Sequence, residues 1–117
     1  MGLVSSLQVS QQEICNRFGS PVFAPSASEI VGAALNVKSG VMPLNGLRHP
    51  PGAGTSGWYI WAGEYNAADD FFRPLHVSHI GSWAPAIEPY LALAPGWRFL
   101  IADDYQDVWF DKNLLEN

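Results

Sequence analysis

Gly57-Trp58-Tyr59-Ile60-Trp61-Ala62-Gly63-Glu64 sets a run of aromatic and β-branched residues between two glycines. That composition and brevity read as a β-strand and argue against a buried helix. Apolar side chains fall on both parities, which predicts a central strand covered on both faces. The preceding loop, Leu47-Arg48-His49-Pro50-Pro51-Gly52-Ala53-Gly54-Thr55-Ser56, is polar and irregular. A site is therefore expected where this loop meets the strand.

Outward from that strand, the clearest element is a C-terminal β-hairpin. Trp97, Phe99 and Ile101 alternate on one side, Asp103-Asp104-Tyr105 turns, and Val108 and Phe110 alternate on the return. Towards the N-terminus, Ser10-Gln11-Gln12-Glu13 has the spacing of a capping box and Gly19 is placed as a stop. A short helix over Gln11–Phe18 is expected, with residues 1–9 as a flexible lead. Ile30–Val37 alternates like a strand, and Lys38-Ser39-Gly40 reads as a turn. Pro43 confines Val41–Leu44 to an edge, and Asn45-Gly46 carries a type I′ turn signal before a return strand from Leu47. After the polar Asn66–Asp70 stretch, Val77, Ile80 and Ala84 recur at helical spacing. Pro85 opens a second short helix, bent by Pro89 and closed by Pro95-Gly96. These elements make one α+β domain over residues 1–117, with a mainly antiparallel sheet and two or three short helices.

Composition narrows the partners. The chain is 48% hydrophobic with five Trp, six Phe and four Tyr, so some aromatic surface is expected to stay exposed and mark an interface. Eleven acidic residues against six basic give a net charge of −5, which excludes nucleic acid and favours a basic protein partner. Cys15 is the sole cysteine, so an internal disulfide is ruled out and a reducing cytoplasmic setting is expected. No apolar run reaches membrane-spanning length, and a signal peptide is not read. Met1–Ser6 fits a myristoylation pattern short enough to arise by chance.

The chemical motifs are thin. Gly52-Ala53-Gly54-Thr55-Ser56-Gly57 spells a dinucleotide fingerprint, but Pro-Pro precedes it and a strand follows, so no helix opens on a phosphate. His76 and His79, three apart, lack a firm third ligand, even with His49, Asp69 and Asp70 considered; surface or interface histidines are the reading, with no metal or other cofactor. No serine has nucleophile-elbow spacing, and Cys15 lies away from a helix N-terminus. No catalytic residue is assigned. Asp103, Asp104, Asp107 and Asp111 crowd the hairpin as a solvated edge or as an acidic contact surface. Arg48 and His49, beside Trp58 and Trp61, suit a carboxylate or aromatic ligand; the alternative is that Arg48 stacks on a tryptophan or pairs with Glu64.

Several longer strings carry a resemblance. Pro43–Pro51, Thr55–Glu64, Phe71–His79, Pro95–Ile101 and Tyr105–Asp111 resemble the bacterial immunity-protein-thirty-three-like family, and the similarity runs from Ile14 to Asp111. The resemblance implies a non-catalytic α+β protein linked to polymorphic toxin systems. Glutamate is common in that family where Gln106 stands, and a cysteine where Ala84 stands, which argues against a metal or redox centre at those positions. The expected function is a protein-binding module that neutralises a toxin by occluding it, through Arg48, His49, Trp58, Trp61, Asp103, Asp104, Tyr105 and Asp107. The alternative is a small-ligand binder or enzyme with a pocket between the Leu47–Gly57 loop and the Trp58–Trp61 strand; self-association as a homodimer is a third arrangement.

Overall fold

Six strands form one sheet: β1 (Ile30–Ala34), β2 (Leu44–Arg48), β3 (Thr55–Ala62), β4 (Phe72–His76), β5 (Trp97–Ala102) and β6 (Tyr105–Phe110). Their order is β4-β1-β3-β2-β5-β6; β1 and β3 run parallel and the other neighbours antiparallel. The computed structural model describes residues 5–116. The helices are α1 (Ser6–Phe18) and α2 (Val77–Trp83), with 3-10 helices at Leu35–Ser39, Pro85–Tyr90 and Lys112–Leu115. The α+β class, the mainly antiparallel sheet and the C-terminal β5–β6 hairpin agree with the sequence reading.

One face of the sheet is covered. Val31, Ala33, Leu44, Arg48, Trp58, Ile60, Phe99, Ile101 and Val108 turn inward beneath Cys15 of α1, Ile80 of α2, and Ile87 and Tyr90 of the Pro85–Tyr90 helix. Phe99 fills a notch over Gly46, where any Cβ would overlap its ring. That notch corrects the turn expected at Asn45-Gly46. Both residues lie inside β2, an interior strand, because the glycine is needed for the Phe99 ring to lie flat on the sheet. The Asn45 amide serves the strand start by donating to the Gly63 carbonyl at 3.2 Å.

Other boundaries moved for identifiable reasons. α1 begins a turn early, capped by Ser5, whose hydroxyl accepts from the Gln8 amide while Gln8 returns the bond. Ser5-x-x-Gln8 and Ser10-x-x-Glu13 both have capping-box spacing, and the first one wins. Residues 6–9, read as part of a flexible lead, are therefore helical; residues 1–4, with most of the myristoylation-like pattern, lie outside the described residues. Gly19 ends α1 in the left-handed region as expected. β1 stops at Ala34 and the chain winds into a 3-10 turn through Ser39. Phe72–His76 forms an edge strand that the sequence reading left unassigned, and an edge tolerates its Pro74.

The largest correction concerns β3. It is an interior strand, but its second face has no helix over it: Tyr59 is 40% exposed. Trp61 is shielded by neighbouring rings instead of by a second layer.

Candidate functional site

Register assembles the bare face from four strands. Across β3, β2, β5 and β6, Tyr59, Leu47, Arg98 and Trp109 form one row, and Trp61, Asn45, Leu100 and Asp107 form the next. Residues far apart in sequence thus share a surface, with Trp61 and Asp107 about 14 Å apart at ordinary strand spacing.

At one side of this face the aromatic side chains merge into a cluster. Tyr59 meets Phe72 edge-on at 5.2 Å between ring centres, and Trp61 meets Tyr65 at 5.6 Å and Phe72 at 6.1 Å. Phe71 closes the group against Phe72 at 4.9 Å and Tyr65 at 5.8 Å. Leu47, His49, Tyr59, Trp61, Tyr65 and Phe72 line a groove of about 260 Å³. Tyr65, 61% exposed, forms its most accessible wall.

The eight residues singled out from the sequence separate into three locations. His49 and Trp61 belong to the groove; the His49 ring packs edge-on to Tyr59 at 5.7 Å and its Nδ1 lies 3.1 Å from the Leu114 carbonyl. Tyr105 and Asp107 share the bare face through β6, and Asp103 and Asp104 form the adjoining tip. Arg48 and Trp58 point the other way, into the core. The Asp103-Asp104 tip and the Leu47–Gly57 loop sit at opposite strand ends, about 17 Å apart along β5. The cavity beside the tip is a separate one, lined by Arg17, Tyr90 and Gln106 among others.

Arg48 has no exposed surface, and its guanidinium is held by carbonyls alone. Its Nε donates to Ser56 O at 2.9 Å, and its Nη1 lies 2.6 Å from Phe23 O, 2.8 Å from Leu93 O and 3.3 Å from Leu91 O. It also stacks 5.5 Å over Trp58, whose Nε1 donates to Leu91 O at 2.9 Å. Burial pushes the Arg48 pKa down to about 10, opposed by Glu29, so the charge is retained at neutral pH. Arg48 accordingly ties the 21–25 and 91–93 segments to the sheet. Stacking on a tryptophan was one of the two structural roles open from the sequence; a pair with Glu64 is not formed.

Nothing in the groove has the geometry of a metal centre. Among the described residues no three His, Cys, Asp or Glu groups converge, and His76 and His79 simply pack edge-on at 5.7 Å. Cys15 is buried with its Sγ 3.4 Å from Ala92 O, and burial pushes its thiol pKa up, away from a nucleophile.

Tyr59, Tyr65, Phe71 and Phe72 were not picked out as site residues from the sequence. Tyr59 shares strand parity with Trp61, which was a usable signal. Tyr65, Phe71 and Phe72 come from a loop and an edge strand whose position only the fold reveals.

The class defined by this α+β scaffold and its bare aromatic face is given by comparison with protein families. The chain matches the Imm33-like domain over residues 10–111, and it belongs to that family. No curated protein and no solved structure matches it.

Proposed function

We propose that this protein is a non-catalytic immunity module of the cytoplasm that binds a bacterial toxin and covers the toxin's active site. Its membership of the Imm33-like family supports an immunity role. The observation that carries the binding mode is the sheet face left without a helical layer, where Tyr59 and Tyr65 stay exposed beside a half-buried Phe72 and over a Trp61 shielded only by these rings. Isolated domains rarely leave a contiguous aromatic patch uncovered unless something docks there. The contact comprises His49, Trp61, Tyr105 and Asp107 on that face, with Asp103 and Asp104 at its margin. Arg48 and Trp58 act indirectly, by holding the sheet that presents it. A net charge of −5 favours a basic toxin and speeds its approach.

Co-expression with the product of the adjacent gene tests this reading. Growth is restored, the two proteins co-purify, and their association slows as salt is raised. Absence of both rescue and co-purification rejects it.

A second reading, a small-ligand binder, draws on the groove of about 260 Å³ beside the glycine-rich loop. A small organic molecule that raises Tm in the native chain, and fails to do so in Trp61→Leu, supports it.

A further inference from the structure

We propose that the groove between Tyr59, Trp61, Tyr65 and Phe72 receives an arginine side chain from a segment of a partner polypeptide. This deepens the binding-module reading and rests on it only for the partner being a protein.

Three observations point to a cation. First, aromatic rings dominate the lining of a space of about 260 Å³, a size that suits one long side chain and not a folded element. A guanidinium over the faces of such rings gains cation–π attraction, more so once water is displaced. Second, the segment that brings Tyr65 to the groove is acidic. Gly63-Glu64-Tyr65-Asn66-Ala67-Ala68-Asp69-Asp70 carries three carboxylates and no basic residue, and it runs directly into Phe71 and Phe72. None of these carboxylates is used internally, since the one ion pair among the described residues joins Arg98 to Asp111 at 3.2 Å.

Third, the protein's own cations stack on other rings; Arg73 follows Phe72 in β4 and lines an adjoining cavity with Tyr59 and Phe72 but stacks on neither. Arg48 covers Trp58 at 5.5 Å, Lys38 covers Trp83 at 4.7 Å, and Arg98 covers Trp109 at 5.4 Å. Among the described residues no internal cation lies over Trp61, Tyr59, Tyr65, Phe71 or Phe72. The groove's rings, joined to this acidic segment, thus carry no stacked cation from their own chain. An anionic or purely apolar occupant would leave Glu64, Asp69 and Asp70 opposed or idle. A second copy of this chain meets the same objection, because it brings a like-charged border to the contact.

Titration of the full-length, ¹⁵N-labelled protein with acetyl-tetra-arginine-amide tests the proposal. The Trp61 indole signal and backbone signals between residues 59 and 72 are expected to shift, while those of Trp58 and Trp83 stay in place. Tyr65→Ala, at an exposed loop position, weakens binding at least fivefold. Val9→Ala, at an exposed position of α1 outside that face, leaves it unchanged. The double variant Asp69→Asn with Asp70→Asn weakens binding and flattens its salt dependence. The proposal is overturned by shifts confined to Asp103–Asp107, by equal binding of the Tyr65→Ala variant, or by no shift at millimolar peptide. Groove signals that move on dilution without peptide also overturn it, in favour of self-association. Toxicity rescue that survives loss of arginine binding removes the groove but leaves the immunity role. Arginine binding without rescue does the reverse.

Discussion

The two faces of one strand carry nearly the same chemistry and meet opposite fates. On β3, Trp58 and Ile60 disappear beneath the helices, whereas Tyr59 and Trp61 look out onto a surface with no second layer. Hydrophobicity does not separate them; what lies opposite does. Inward, Arg48, Leu91 O and Phe99 give Trp58 a hydrogen bond, a cation and a ring. Outward, Trp61 has only rings that themselves face solvent. The inner face is specified by satisfied polar groups and close fit, and the outer one by shape and charge left available.

The sharpest way to break this contrast is Arg48→Ala. Ser56 O, Phe23 O and Leu93 O lose the Arg48 donor, while Leu91 O keeps Trp58 Nε1, and unfolding free energy measured in urea is expected to fall by about 3–5 kcal/mol. Labelling of Cys15 at pH 8 accelerates more than tenfold, because its Ala92 partner lies between two carbonyls that Arg48 holds. A stable Arg48→Ala protein that merely loses its partner would reverse the assignment and restore Arg48 as a contact residue.

Paired tryptophan variants come next. Trp58→Ala is expected to lower stability by about 3–5 kcal/mol, and Trp61→Ala by about 1–2 kcal/mol less, since Tyr65 and Phe72 can collapse into the space. Equal losses in urea melts would mean that the outer cluster is core in all but position. Gly46→Ala forces the Phe99 ring off the sheet at about 1–3 kcal/mol, and Phe99→Leu in the same chain recovers part of it. Smallest of all, Tyr65→Ala changes stability by no more than about 0.5 kcal/mol while weakening partner binding.

The particular elements show what the sequence could reveal. The β5–β6 hairpin was legible because its alternation is strict and its turn is polar. α1 was legible apart from one turn, where two capping boxes competed. Asn45-Gly46 misled because glycine serves two purposes, a reversal or a seat for a ring, and only Phe99 distinguishes them. The groove was half legible: Trp61 and His49 stood out, yet Tyr65 joins them from a loop and Phe72 from an edge strand, neither of which local pattern registers. Arg48 was conspicuous for the right reason, its setting among tryptophans, but the carbonyls that claim it come from segments on both sides of the sheet sequence.

The seat at Gly46 also has a bearing on synthesis. β2 and β3 leave the ribosome together, yet the hollow between them is filled by a ring that emerges much later, after both helices and the long acidic turn. Nascent chains halted before β5 are therefore expected to remain open to proteases, whatever local structure they hold. Maturation waits on the final hairpin.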